Sequence, residues 1–169
     1  MLSVGDVAPP IDAVASDDQR FVLYDRESLC TVLYFFPKAF TPGCTLMTKA
    51  FSANIVELVL AGADVAGIST DDSTTQCAFS RSVGAEFPIL PDPEGSVCRA
   101  YDVLWPVVGL ARRVTYVIGP RLSGGPGQAP RRMVEAVFHH ELRIEAHRND
   151  ALRFVDARFR ARRGQTGVR

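Results

Sequence analysis

The stretch Tyr34-Phe35-Phe36-Pro37-Lys38-Ala39-Phe40-Thr41-Pro42-Gly43-Cys44 decides how this chain is read. The apolar run Thr31 to Phe36 reads as a buried strand. Pro37 stops it, because proline cannot donate to a strand ladder. Thr41-Pro42-Gly43 is a turn, and Cys44 arrives where a helical pattern begins. Beyond it, Phe51, Ile55, Leu58 and Val59 recur at helical spacing and are predicted to pack on a sheet.

The position of the sulfur matters. A helix N-terminus carries unpaired N–H groups and a partial positive charge, and both favour a thiolate over a thiol. The thiolate is the nucleophile, so the placement points to a reactive cysteine. The plain alternative is a small buried residue at a strand–helix junction.

Working outward, the 169 residues are expected to form one domain over 1–160 and an Arg-rich tail over 161–169. Formal net charge is zero, which implies no general attraction to nucleic acid or to a membrane surface. Lys38 and Lys49 are the only lysines, which reads as genome composition. Met1 to Ala15 contains Asp6 and no basic region before an apolar core, unlike a signal peptide. No apolar run is long enough to span a bilayer. The four cysteines include no C-x-x-C and make no disulfide scaffold, so redox-active thiols in a reducing cytoplasm fit best.

The first 24 residues read as an entry segment and a β-hairpin, with Ile11–Val14 and Arg20–Leu23 around Ser16-Asp17-Asp18-Gln19. A strand over 31–36 leads to a helix over 43–61, ended by Gly62. Ala63 to Ser69 is a second strand, and Thr70-Asp71-Asp72-Ser73 caps a helix over 73–83. Phe87 to Leu90 is a short strand, and Asp92-Pro93-Glu94 opens a helix reaching Tyr101. Strands over 114–118 and 133–138 precede a C-terminal helix over 144–159. The helical crossover makes the first two central strands parallel, whereas the last two can be antiparallel. This is the order of a thioredoxin-like α/β fold: a central mixed sheet flanked by helices, with an N-terminal β-hairpin.

Residues 119–132 read as a flexible hairpin tip, and Gly124-Gly125-Pro126-Gly127 lacks what a phosphate cradle needs. The apolar stretch Leu104 to Val108 reads as core packing, with a pocket wall or an oligomer contact as alternatives. His139, His140 and His147 lack metal-ligand spacing, so no metal or cofactor is expected. Arg158, Arg160, Arg162, Arg163 and Arg169 make the tail basic, which reads as a solvated terminus before an anion contact.

Pro37-x-x-x-Thr41-x-x-Cys44 resembles the active-site motif of the peroxiredoxins, which are thiol peroxidases. The longer string Phe36-Pro37-Lys38 … Thr41-Pro42-Gly43-Cys44-Thr45 is similar to the bacterioferritin-comigratory, Q-type branch. Further likeness runs through Leu2–Pro9, Gly67–Asp71, Phe87–Asp92, Tyr101-Asp102-Val103 and Phe138–Leu142. The resemblance implies a Cys44 thiolate that attacks peroxide, a Thr41 hydroxyl that bonds the peroxide, and a Pro37 that shields the sulfur. Helix capping and strand ending are their plain roles. In Arg112-Arg113-Val114-Thr115-Tyr116, counting back from Tyr116 selects Arg113 as the charge beside the sulfur; Arg112 takes that place if the register slips by one.

Attack on peroxide leaves a sulfenic acid that condenses with a second thiol. Many Q-type members place that thiol five residues after the first, where this chain has Lys49, and Met47 replaces a frequent glutamate. The resemblance makes Cys77 the first choice of resolving cysteine, after local unwinding, and Cys98 the second. Cys30 reads as structural, and a one-cysteine mechanism with an external thiol stays open. Recycling by thioredoxin or a similar thiol reductant is implied, in a monomer or homodimer. Two rivals stand beside the peroxidase: a disulfide oxidoreductase, and a thioredoxin-fold redox-sensing or binding protein without efficient peroxidase activity.

Overall fold

The computed structural model describes residues 1–124, 127 and 129–163. An N-terminal hairpin pairs β1 (Asp12–Val14) with β2 (Arg20–Val22) antiparallel. The five-stranded sheet contains β3 (Cys30–Phe35), β4 (Ala63–Ser69), β5 (Ile89–Pro91), β6 (Val114–Ile118) and β7 (Val134–His139), in the order β5-β4-β3-β6-β7. Strand β3 is parallel to β4 and antiparallel to β6, and β6 is antiparallel to β7. This is the mixed sheet of a thioredoxin-like fold. The central strand β3 is buried along its whole length, as a strand covered on both faces should be.

Alternation along β3 divides the core. Val32, Tyr34 and Phe36 face one cluster with Cys44, Phe51, Leu58, Phe79, Val155 and Phe159. That side carries α1 (Pro42–Ala53), α2 (Ile55–Leu60), α3 (Ser73–Val83) and α5 (Ile144–Arg163). Leu33 and Phe35 face the other cluster, which holds the hairpin and α4 (Ser96–Ala100). Gly67 is needed where it stands: a Cβ there would meet the Tyr34 ring at 2.6 Å.

Four readings from sequence need correction. The helix expected over 43–61 is broken at Asn54 into α1 and α2, and Val59 is 52% exposed instead of joining the sheet-facing stripe. The stretch around Trp105 is not core: Trp105, Val107 and Val108 are exposed, and the Arg112 guanidinium lies 4.5 Å over the indole. Helix α5 continues to Arg163, past the helix end expected at 159, as arginine's good helix propensity permits. Arg132, assigned to a loop, is fully buried and donates to the carbonyls of Gly119 and Leu23 and to the Thr31 hydroxyl. The 119–132 connection closes as a hairpin at the Leu122–Arg131 pair. Gly125, Pro126 and Gln128 of that tip and residues 164–169 of the tail lie outside the described residues.

His147 occupies the first core position of α5 and repeats at helical spacing with Ala151 and Val155. It is fully buried, and burial holds its pKa at about 4, with His140, Arg113 and His139 adding to the shift. The unfolded chain takes up this proton near the ordinary value of 6.5, well before the folded protein does. Stability is therefore intact above that value and falls as pH drops through the window, by about 3 kcal/mol in all. Urea midpoints measured from pH 7 to pH 4 should fall, and a His147→Gln variant should lack this part of the slope. An equal slope in both proteins would contradict it.

Candidate active site

Strand β3 ends at Phe35, and the Phe36 N–H still donates to the Ile68 carbonyl (3.0 Å). The chain then reverses through Pro37–Thr41. Phe40 takes the left-handed conformation (φ 62°), which is uncommon for a bulky residue. Two contacts hold it there. The Ala39 N–H donates to the Asp71 carboxylate at 2.7 Å, and the Phe40 ring meets Phe79 edge-on at 5.3 Å. Asp71 thus ties this loop to the end of β4, while its neighbour Asp72 caps α3 through the Thr75 N–H. The sequence placed both in one capping cluster; only one residue can be the N-cap.

Helix α1 begins at Pro42, so Cys44 is its third residue and sits among the unpaired N–H groups of the first turn. Its side chain is fully buried. The Thr41 hydroxyl donates to the Lys38 carbonyl at 3.0 Å and does not cap the helix. Pro37 is half-buried at the strand exit. Met47 fills the core beneath Cys44, and Lys49 is exposed.

Arg113 comes to the sulfur from the residue just before β6. Val114 and Tyr116 face the hairpin side, so Arg113, Thr115 and Val117 face the helices. Arg113 Nη2 lies 3.5 Å from Cys44 Sγ, and Nη1 donates to the Glu141 carbonyl at 3.1 Å. Arg113 Nε is buried without a hydrogen-bond partner. Arg112 points the other way, over Trp105. Gly43 allows this approach: a Cβ there would stand 2.8 Å from Arg113 Nη2 and 3.0 Å from Ile144 Cδ1. Sequence reading treated Gly43 as a turn residue and missed this second use.

The other cysteines are dispersed, and all four are free thiols. Cys30 shares the sheet face of Cys44 but starts β3, about 17 Å along the strand from its exit. Burial, helped by Asp64, pushes its thiol up to about 12. Cys98 lies in the core on the opposite face of the sheet, where burial and the Asp92 carboxylate push its thiol far up. Cys77 is half-buried on α3, in a surface cavity with Asp18, Ser73, Thr74 and Arg81. It lies two residues from Phe79, about 200° around the helix, and so faces away from the contact between Phe79 and the Cys44 loop. No group of three or more metal-binding side chains occurs among the described residues, and no described helix is long and apolar enough to cross a membrane.

The chain is similar to known proteins in sequence and in fold. The sequence profile of the AhpC/TSA family matches residues 4–123. Peroxiredoxin Bcp of Escherichia coli (strain K12) is 36% identical over 102 residues, which are 60% of this chain and 65% of that protein. The match therefore spans slightly less than two thirds of that relative. Among solved structures, peroxidoxin BcpB from Mycobacterium tuberculosis superposes with a TM-score of 0.81 at 28% identity, covering 94% of this chain and 99% of that one. Xanthomonas campestris peroxiredoxin Q gives 0.74 at 26% identity, covering 88% and 90%. With its profile match running from the entry segment through β6, the chain belongs to the AhpC/TSA family.

Proposed function

We propose that this protein is a thiol-dependent peroxidase that reduces hydrogen peroxide and organic hydroperoxides through Cys44. The observation that carries the reading is the Arg113 guanidinium 3.5 Å from a sulfur held in the first turn of α1. Both the helix terminus and the cation stabilise negative charge on sulfur. The buried, unpartnered Nε leaves the guanidinium a further donor for a peroxide oxygen.

The Cys44 thiolate attacks one peroxide oxygen, and the O–O bond breaks. The sulfur becomes a sulfenic acid, and the other oxygen leaves as hydroxide or alkoxide and takes a proton. Arg113 stabilises the charge that moves onto that oxygen. The Thr41 hydroxyl, already donating to Lys38, keeps its lone pairs to accept the peroxide proton. Pro37 limits water at the sulfur.

Cys77 is the resolving thiol in this reading. Of the three other cysteines it alone is not buried in the core. Its sulfur displaces hydroxide from the Cys44 sulfenic acid, giving a disulfide and water after the first turns of α3 unwind. A dithiol reductant of the thioredoxin type then takes the disulfide by exchange, in a reducing cytoplasm. The catalytic unit is the single domain over residues 1–160.

Intact mass after one equivalent of hydrogen peroxide tests the scheme. The reduced wild type should lose two hydrogens, Cys77→Ser should gain one oxygen, and Cys44→Ser should not change. A wild-type mass unchanged over minutes would favour a binding or sensing protein, and added oxygen in the wild type would indicate an external resolving thiol. Gly43→Ala probes the approach of Arg113. The variant should fold, because the guanidinium end can move aside, but its rate of oxidation should fall about tenfold to a hundredfold. An unchanged rate would sink the role given to Arg113.

A further inference from the structure

Arg113 is not held by a carboxylate: none of the ion pairs among the described residues includes it. Its anchor is the Glu141 carbonyl, in the corner between β7 and α5. What fixes this corner therefore fixes the cation against the sulfur. Two of its contacts lie nearer the surface: His139 with Glu141 at 3.0 Å is exposed and constrains little in water, and the part-buried pair of His140 with Asp150 at 2.9 Å ties the His140 side chain to α5. The buried contact is different. His147 Nε2 lies 2.8 Å from the His140 carbonyl, and His147 Nδ1 lies 2.9 Å from the Thr115 hydroxyl.

A carbonyl only accepts, so Nε2 carries the proton. The neutral ring then accepts the Thr115 hydroxyl at Nδ1. Thr115, in β6, is two residues beyond Arg113 and faces the same side of the sheet. The imidazole thus ties the strand that supplies the arginine to the corner that aims it.

We infer that His147 is a positioning residue for the Cys44 site. Its imidazole, bound to Thr115 and to the His140 carbonyl, sets the Glu141 carbonyl that holds Arg113 on the sulfur. The position itself does not demand histidine, since Ala151 and Val155 on the same stripe of α5 are apolar. A neutral ring also suits the place, because a cation there would repel Arg113. The inference rests on the peroxidase reading for its effect on turnover; the effect on sulfur reactivity does not depend on peroxide.

His147→Leu fills the space without a donor, whereas His147→Gln restores an N–H toward the His140 carbonyl. Each should be read by thermal midpoint, by the rate of Cys44 oxidation by hydrogen peroxide, and by iodoacetamide alkylation of Cys44 at pH 7, followed by peptide mass. We expect the leucine variant to stay folded, with a midpoint lowered by the unpaired Thr115 hydroxyl, and to lose about tenfold or more in both rates. The glutamine variant should return to within about threefold of the wild type. Wild-type rates in the leucine variant, or a glutamine variant as slow as leucine, would overturn the inference. The imidazole nitrogen spectrum of the wild type gives a check that needs no variant: a proton on Nε2 is expected, and one on Nδ1 alone would overturn it. If the wild type itself is inert to peroxide, the peroxidase reading fails, and alkylation still decides the role of His147.

Discussion

The contact between the Arg113 guanidinium and the Cys44 sulfur, in the first turn of α1, is the constraint on which the rest depends. A positive group this close to a fully buried sulfur needs three permissions. The β6 register must turn Arg113, and not Arg112, to the helical face. Gly43 must leave room for the guanidinium. The Glu141 carbonyl must take up one of its donors. Each permission comes from a different part of the chain, so the site is a product of the assembled fold and not of the motif alone.

The two-faced core explains how one chain carries four free cysteines with so little risk of mispairing. Cys30, at the start of β3, and Cys44, in α1 beyond the exit of that strand, share one core cluster, and the second core holds Cys98. Desolvation keeps Cys30 and Cys98 protonated, hence poor nucleophiles. The thiol of Cys77 is more accessible, on a helix whose Phe79 packs against the left-handed residue Phe40. Loosening α3 would release both that packing and the loop before Cys44.

Much of this was legible in the sequence where a local rule decides. The apolar run of β3, a helix start next to Pro42, the span of α3 and the β4 bounds all follow from periodicity and turn chemistry. Arg113 was legible only by analogy and by counting along a strand of known parity. What was not legible depends on tertiary neighbours. Nothing local says that Arg132 is buried against the carbonyls of Gly119 and Leu23, that Asp71 holds Ala39, or that Gly43 makes room for a guanidinium. His147 is the clearest case. Its spacing from Ala151 and Val155 marks a core position, and a polar residue at such a position is a signal that it has partners. Val59 failed for the opposite reason: the break at Asn54 rotates the stripe, which periodicity across 43–61 could not show.

The most direct measurement is the second-order rate constant for reaction of reduced wild-type protein with hydrogen peroxide, set beside free cysteine at the same thiolate concentration. If Arg113 and the helix terminus stabilise the leaving oxygen, the protein should be faster by at least about a hundredfold, the usual size of one well-placed electrostatic group. A rate equal to that of free cysteine would mean that the cation only neutralises the sulfur and does not act in the reaction, which would contradict the mechanism assigned to this site.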